Sequence, residues 1–206
     1  MAFKHVYIIH GYNASPHDHW FPWLKEKLIA DGATVSVLTL PNSENPSVTA
    51  WQNHLRNTIS PPNQNTFFVA HSLGCLTLLQ YLDALGKDTT IGGFIFVSGF
   101  LGLLKALPQL DGFLTAFRGN FMGFQPERII RLTPNRTIVG SLNDSLVPYE
   151  QTEKLSRVLQ TRLLKVSQGG HFLASDGITE LPLVYDELTQ MMGGDRIPSL
   201  FEGKTA

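Results

Sequence analysis

Apolar positions in this chain gather in short unbroken runs, separated by longer stretches where they recur every three or four residues. Val6-Tyr7-Ile8-Ile9, Phe67-Phe68-Val69-Ala70 and Gly93-Phe94-Ile95-Phe96-Val97 show no polar alternation, which suits parallel strands buried on both faces. Thr34 to Leu40, Arg136 to Gly140 and Leu163 to Val166 read as further strands. Helical patterns lie between them. One opens at Asp18 or His19 and runs to about Ala30, where Asp31-Gly32 stops it. Another, capped by Ser47, carries Trp51, Leu55 and Ile59 at four-residue spacing. Leu73 to Leu82, Pro148 to Leu159 and Leu181 to Met192 supply the rest.

Strand and helix in alternation predict an α/β fold: a doubly wound, mostly parallel sheet with right-handed crossovers. The rhythm breaks between Ser98 and about Glu127, where glycines punctuate a stretch rich in Leu and Phe. This excursion (98–127) has two readings. Its apolar side chains either pack down as ordinary core or fold over the strand ends as a small helical lid. In the second case Phe100, Phe113 and Phe117 would line an acyl pocket. Gly193-Gly194 release a tail, 193–206, expected to be loose. No linker or internal repeat divides the chain, so 1–206 is expected to form a single domain.

Composition narrows the function. With 43% hydrophobic and 16% charged residues the chain belongs to the folded globular class. A net charge of −1 gives no electrostatic case for nucleic acid or an anionic membrane. The single cysteine, Cys75, excludes an intrachain disulfide, and neither a signal peptide nor a membrane-spanning apolar run is visible. A soluble, cytoplasmic protein is expected.

In parallel sheets reactive groups collect where strands end. His10-Gly11 follow the first strand, Ser72 follows Phe67 to Ala70, and Asp144 lies in the turn after Arg136 to Gly140. Gly169-Gly170-His171 follow the last strand. Ala70-His71-Ser72-Leu73-Gly74 between a strand and a helix matches the nucleophile elbow, with alanine at the first small position. Each residue has a plainer reading. Ser72 can be a helix N-cap, Asp144 a turn former and His171 a surface loop residue. Their conjunction in the order Ser, Asp, His, each just past a strand, favours a catalytic triad.

In that reading neutral His171 takes the Ser72 proton, since a serine hydroxyl alone is a weak nucleophile. A free imidazole, with a reference pKa near ~6.5, suits the task. Asp144 fixes the ring tautomer; Asp176, and more remotely Asp111, are the other acids available. The backbone N–H groups of Leu73 and Tyr12 are the expected oxyanion donors, with His10 and Gly11 beside the substrate. No cofactor is implied. His17 and His19 flank Asp18 without a second cluster at metal-site spacing, and no phosphate-binding glycine motif follows a strand. His71 and Cys75 are expected to face structure rather than substrate.

Val6 to Ser15 with His19-Trp20 and Trp23-Leu24, Ala70 to Cys75, Asn143-Asp144-x-x-Val147-Pro148 and Gly169 to Phe172 also carry a family resemblance. Together they resemble the small serine hydrolases related to a retinoblastoma-binding protein, which include bacterial proteins of the YdeN type. The resemblance runs from Val6 to about Met192. It implies a minimal α/β-hydrolase without the front antiparallel strands of larger members, and triad roles for Ser72, Asp144 and His171. The 98–127 excursion is longer than such compact members require. The leading expectation is a carboxylesterase-like hydrolase acting on a small-molecule ester or acyl substrate. The alternatives are a peptidase, amidase or thioesterase with the same triad, or a protein-binding regulatory module that keeps the fold. The sequence itself indicates no protein partner.

Overall fold

Six parallel strands form the sheet, in the order β2-β1-β3-β4-β5-β6. They are β1 (His5–Ile9), β2 (Thr34–Leu38), β3 (Thr66–His71), β4 (Gly93–Val97), β5 (Arg136–Ser141) and β6 (Arg162–Val166). This computed structural model describes residues 3–120 and 124–193. Phe121 and Gly123 of the excursion, and 194–206 of the expected loose tail, lie outside the described residues. The helices are α1 (Phe21–Ala30), α2 (Val48–Thr58), α3 (Leu73–Asp83), α4 (Asp111–Asn120), α5 (Pro126–Leu132), α6 (Tyr149–Leu159) and α7 (Pro182–Met191). Among the described residues no helix is long and apolar enough to cross a membrane.

Strand periodicity divides the core into two layers. Val6, Ile8, Phe67, Val69, Ile95, Val97 and Val139 face α1 and α7, where Trp20, Phe21, Leu24, Val184 and Leu188 cover them. Their strand neighbours Tyr7, Ile9, Phe68, Ala70, Phe94, Phe96 and Ile138 face the other helices, with Trp51, Leu76, Ile129 and Leu155 among the cover. The chain leaves β1 for β2, then returns across it to β3, and thereafter moves outward only. That reversal puts a switch point between β1 and β3, where the carboxyl ends of two strands open a crevice.

Several boundaries differ from expectation for local reasons. The first helix begins at Phe21 rather than Asp18, because His19 adopts φ 57° and the Asp18 carboxylate accepts from Ser15 N–H at 2.7 Å. The second strand stops at Leu38: Leu40 donates its N–H to His10 Nε2 at 3.0 Å, which draws the chain out of register. Helix α5 was not legible as a separate element, yet Pro126 starts it and Ile129 and Leu132 bury its inner face.

The excursion is packed. Phe100, Leu104, Leu110, Phe113, Leu114 and Phe117 all join the core layer of α2 and α3. Helix α4 lies on α2, with the Phe113 and Trp51 rings edge to face at 5.5 Å. Two neighbouring substitutions read this packing with opposite signs. Phe113→Ala should cost about 3–5 kcal/mol in urea unfolding, as a large ring lost from a filled site does. Gly112→Ala should add about 0.5–1 kcal/mol, since a Cβ there meets nothing within 4 Å on a helix. A loss below about 1 kcal/mol for Phe113→Ala would mean that α4 is only loosely docked.

Candidate active site

Ser72 stands between β3 and α3 at φ 52° and ψ −123°, a conformation that costs a non-glycine residue about 1–3 kcal/mol. Its N–H continues the sheet by donating to Val97 C=O at 2.9 Å. Its side chain does not cap α3, so the helix-cap reading of this serine is not the one adopted. Two glycines allow the geometry. A Cβ on Gly74 would lie 2.4 Å from His10 O and 2.7 Å from Ile9 O; one on Gly11 would lie 2.9 Å from Ser72 Cβ. The β1 loop thus rests directly on the elbow. Ala70 is fully buried, and its carbonyl accepts from Cys75 Sγ–H at 3.2 Å, which accounts for a small thiol under the turn.

Ser72 Oγ lies 2.9 Å from His171 Nε2, and His171 Nδ1 lies 2.8 Å from Asp144 Oδ2. A carboxylate only accepts, so Nδ1 carries the proton and Nε2 of the neutral ring is free to accept from Ser72. All three residues are less than 10% exposed. Asp144 takes four donors. Oδ1 accepts from Leu146 N–H and Val147 N–H at 3.0 and 2.9 Å, and Oδ2 accepts from Ser98 Oγ–H at 2.7 Å as well as from His171. Ser98 is fully buried at the end of β4 and was not among the sequence candidates.

The loops after β5 and β6 are stitched together by polar side chains. Ser141 Oγ accepts from Gly169 N–H at 2.9 Å, and Asn143 Oδ1 accepts from Gly170 N–H at 2.8 Å. Asp176 grips the main chain on either side of the imidazole, accepting from His171 N–H at 2.8 Å and Leu173 N–H at 3.0 Å. It therefore holds the loop rather than the ring. Asp111 opens α4 and serves the first turn of that helix. His19 Nδ1 accepts from Ala174 N–H at 3.1 Å, tying the β1–α1 loop to the same segment.

Of the other candidates, Leu73 opens α3, where first-turn N–H groups have no acceptor within the helix. Gly11 brings the β1 loop to it: a Cβ there would be 3.3 Å from Leu73 N. Tyr12 follows, half-buried against the α2–α3 layer. His10 is fully buried and spends both ring nitrogens inside the protein, Nδ1–H donating to Gly11 O and Nε2 accepting from Leu40 N–H. Phe100, Phe113 and Phe117 lie in the core layer already described.

The model of a family described as serine hydrolase matches residues 6–190. The chain belongs to that family. It is 41% identical to YdeN of Bacillus subtilis (strain 168) over 186 residues, covering 90% of this chain and 95% of that protein. The crystal structure of the ydeN gene product of B. subtilis superposes with a TM-score of 0.86 at 40% identity, covering 92% of this chain and 99% of the other. At the level of the fold alone, α/β hydrolase domain-containing protein 10 from mouse matches with a TM-score of 0.65 and 15% identity, over 94% and 92% of the two chains. This serine hydrolase accordingly has the α/β-hydrolase architecture, with six parallel strands among the described residues.

Beneath the site of this hydrolase lies a buried histidine. His71 Nε2–H donates to His171 C=O at 2.8 Å, and its ring sits 4.9 Å from the His171 ring. Burial, reinforced by the neighbouring His171, holds the His71 imidazole well below its usual range; burial likewise lowers His10 and His19. The folded protein therefore refuses protons that the unfolded chain accepts once pH falls below about 6.5, so stability is lost on acidification. His71→Gln keeps a donor for His171 C=O but cannot titrate. Urea unfolding at pH 7.5 and 5.5 should show a smaller acid loss for the variant, the difference approaching about 1.4 kcal/mol per pH unit. Equal losses in the two proteins would remove His71 from this account.

Proposed function

We propose that this serine hydrolase cleaves carboxylic esters of small molecules through an acyl-enzyme, with Ser72 as nucleophile, His171 as base and Asp144 as orienting acid. The observation that carries this reading is the unbroken hydrogen-bonded run from Asp144 through His171 to Ser72, at 2.8 and 2.9 Å. His171 Nε2 takes the hydroxyl proton as Ser72 Oγ adds to the ester carbonyl. The tetrahedral oxyanion is received by the N–H groups of Leu73 and Tyr12, with the positive end of α3 behind the first. His171 then gives its proton to the leaving alkoxide, the acyl-enzyme forms, and a water activated by the same imidazole releases the acid.

An apolar acyl or alkyl group is the expected cargo. Half-buried Tyr12 follows β1 and half-exposed Leu142 follows β5, both at the carboxyl edge of the sheet from which Ser72 also emerges. Each buried methylene is worth about 0.8 kcal/mol, so kcat/KM should rise from acetyl to butyryl p-nitrophenyl esters. The site, the sheet and its two helical layers are read as one hydrolase domain.

A fluorophosphonate should label Ser72 and no other residue, as peptide mapping would reveal. Ser72→Ala should lower ester turnover by about 10⁴ or more, and Asp144→Asn by a comparable order through the wrong tautomer. Label found on Ser98 or Ser145, or less than a tenfold loss in Asp144→Asn, would refute the assignment. A matched anilide and thioester beside p-nitrophenyl butyrate would rank the amidase and thioesterase alternatives.

A further inference from the structure

The hydroxyl of Ser98 lies 2.7 Å from Asp144 Oδ2, the same oxygen that meets His171 Nδ1. We infer that Ser98 is a positioning residue for the hydrolytic reaction, locking the Asp144 carboxylate so that Oδ2 faces His171; this rests on the Ser72–His171–Asp144 reading above. A carboxylate has about four lone-pair sites, and here all are used. The main-chain N–H groups of Leu146 and Val147 hold Oδ1. They leave the carboxyl plane free to tilt about that edge, and Oδ2 is then restrained by Ser98 and by the imidazole itself. Among the described residues, Ser98 is the donor other than the imidazole that holds Oδ2 in place while the ring moves between neutral and charged states.

The backbone is bent to put the hydroxyl there. Ser98 adopts φ 49°, an uncommon conformation for a residue bearing a Cβ, while its N–H stays in the sheet by donating to Val139 C=O at 2.9 Å. Full burial excludes contact with substrate, so any influence on the reaction passes through Asp144. A donor on Oδ2 also draws off part of the carboxylate's charge. The bond between Asp144 and the imidazolium is weaker for it, and the ring releases its proton to the leaving group more readily.

The test uses Ser98→Ala and Ser98→Gly. Both remove the hydroxyl, and glycine accepts the positive φ without strain, so a shared effect belongs to the hydroxyl. With p-nitrophenyl butyrate, kcat should fall about ten- to a hundredfold in both at nearly unchanged KM, the size expected for a bond to a charged group. The acidic limb of the kcat/KM profile should move to higher pH, because Asp144 then stabilises the imidazolium more. His71 and His19, which also face His171, and Asp176 on its main chain are untouched by either change. A merely structural Ser98 would lower the melting temperature and leave kcat and the limb as in wild type, which would overturn the inference. Fluorophosphonate labelling separates the two levels. Wild type that fails to label at Ser72 sinks the active-site reading itself. Wild type and both variants labelling at Ser72 at the same rate would sink only the role of Ser98.

Discussion

The structure depends on one close approach: the backbone of α3 at Gly74 pressed against the carbonyls of Ile9 and His10. There is no room for a methyl group in that contact. It forces the first turn of α3 beneath the end of β1, and the strand β3 must then reverse at Ser72 with a positive φ. Gly11 completes the contact from the other side by letting the β1 loop lie on Ser72. Ser72, the helix start and the β1 loop are therefore one steric unit. None can be moved without moving the others, which is how a strained serine is held at a cost of about 1–3 kcal/mol.

The topology makes that contact possible. Because β1 and β3 are neighbours although β2 intervenes in sequence, their loops diverge on opposite faces and leave the crevice between them open. The two apolar layers then fix the strand ends in register, β1 Ile9 opposite β3 Ala70 and β3 His71 opposite β4 Val97. Ser98 and Ser72 consequently emerge from adjacent strands, and Asp144 follows from the next one. Side-chain chemistry at the site is the outcome of strand pairing far more than of any local preference.

Most of this was legible in the sequence because it rests on patterns with a physical period. Unbroken apolar runs marked the central strands, and reading the residues that follow each strand picked out Ser72, Asp144 and His171 as candidates. The same rule applied to the end of β4 points to Ser98, so that signal was present and unread. Other features left no such trace. Asp176 reads as a rival acid by sequence position, and only three-dimensional folding reveals that it meets main-chain N–H groups instead. Ser141 and Asn143 are ordinary turn residues until β5 and β6 pair and bring Gly169 and Gly170 within reach. Helix α5 is seven residues long with a mixed pattern, too short to announce a period.

The two halves of the site are held by different forces, and this shapes how each can fail. Ser72 is placed by repulsion: glycines packed against carbonyls and other backbone leave a single allowed path. The imidazole is placed by attraction. Its main chain is gripped by Asp176 and, through His171 C=O, by His71, while its ring is gripped by Asp144. Steric placement tolerates pH and salt but no added atom. Polar placement tolerates small changes of shape but depends on hydrogen bonds to Asp144, to Asp176 and to a His71 whose burial keeps it neutral. Acid acts on the histidine side through His71, whose buried Nδ1 has no hydrogen-bond partner among the described residues to take up an added N–H.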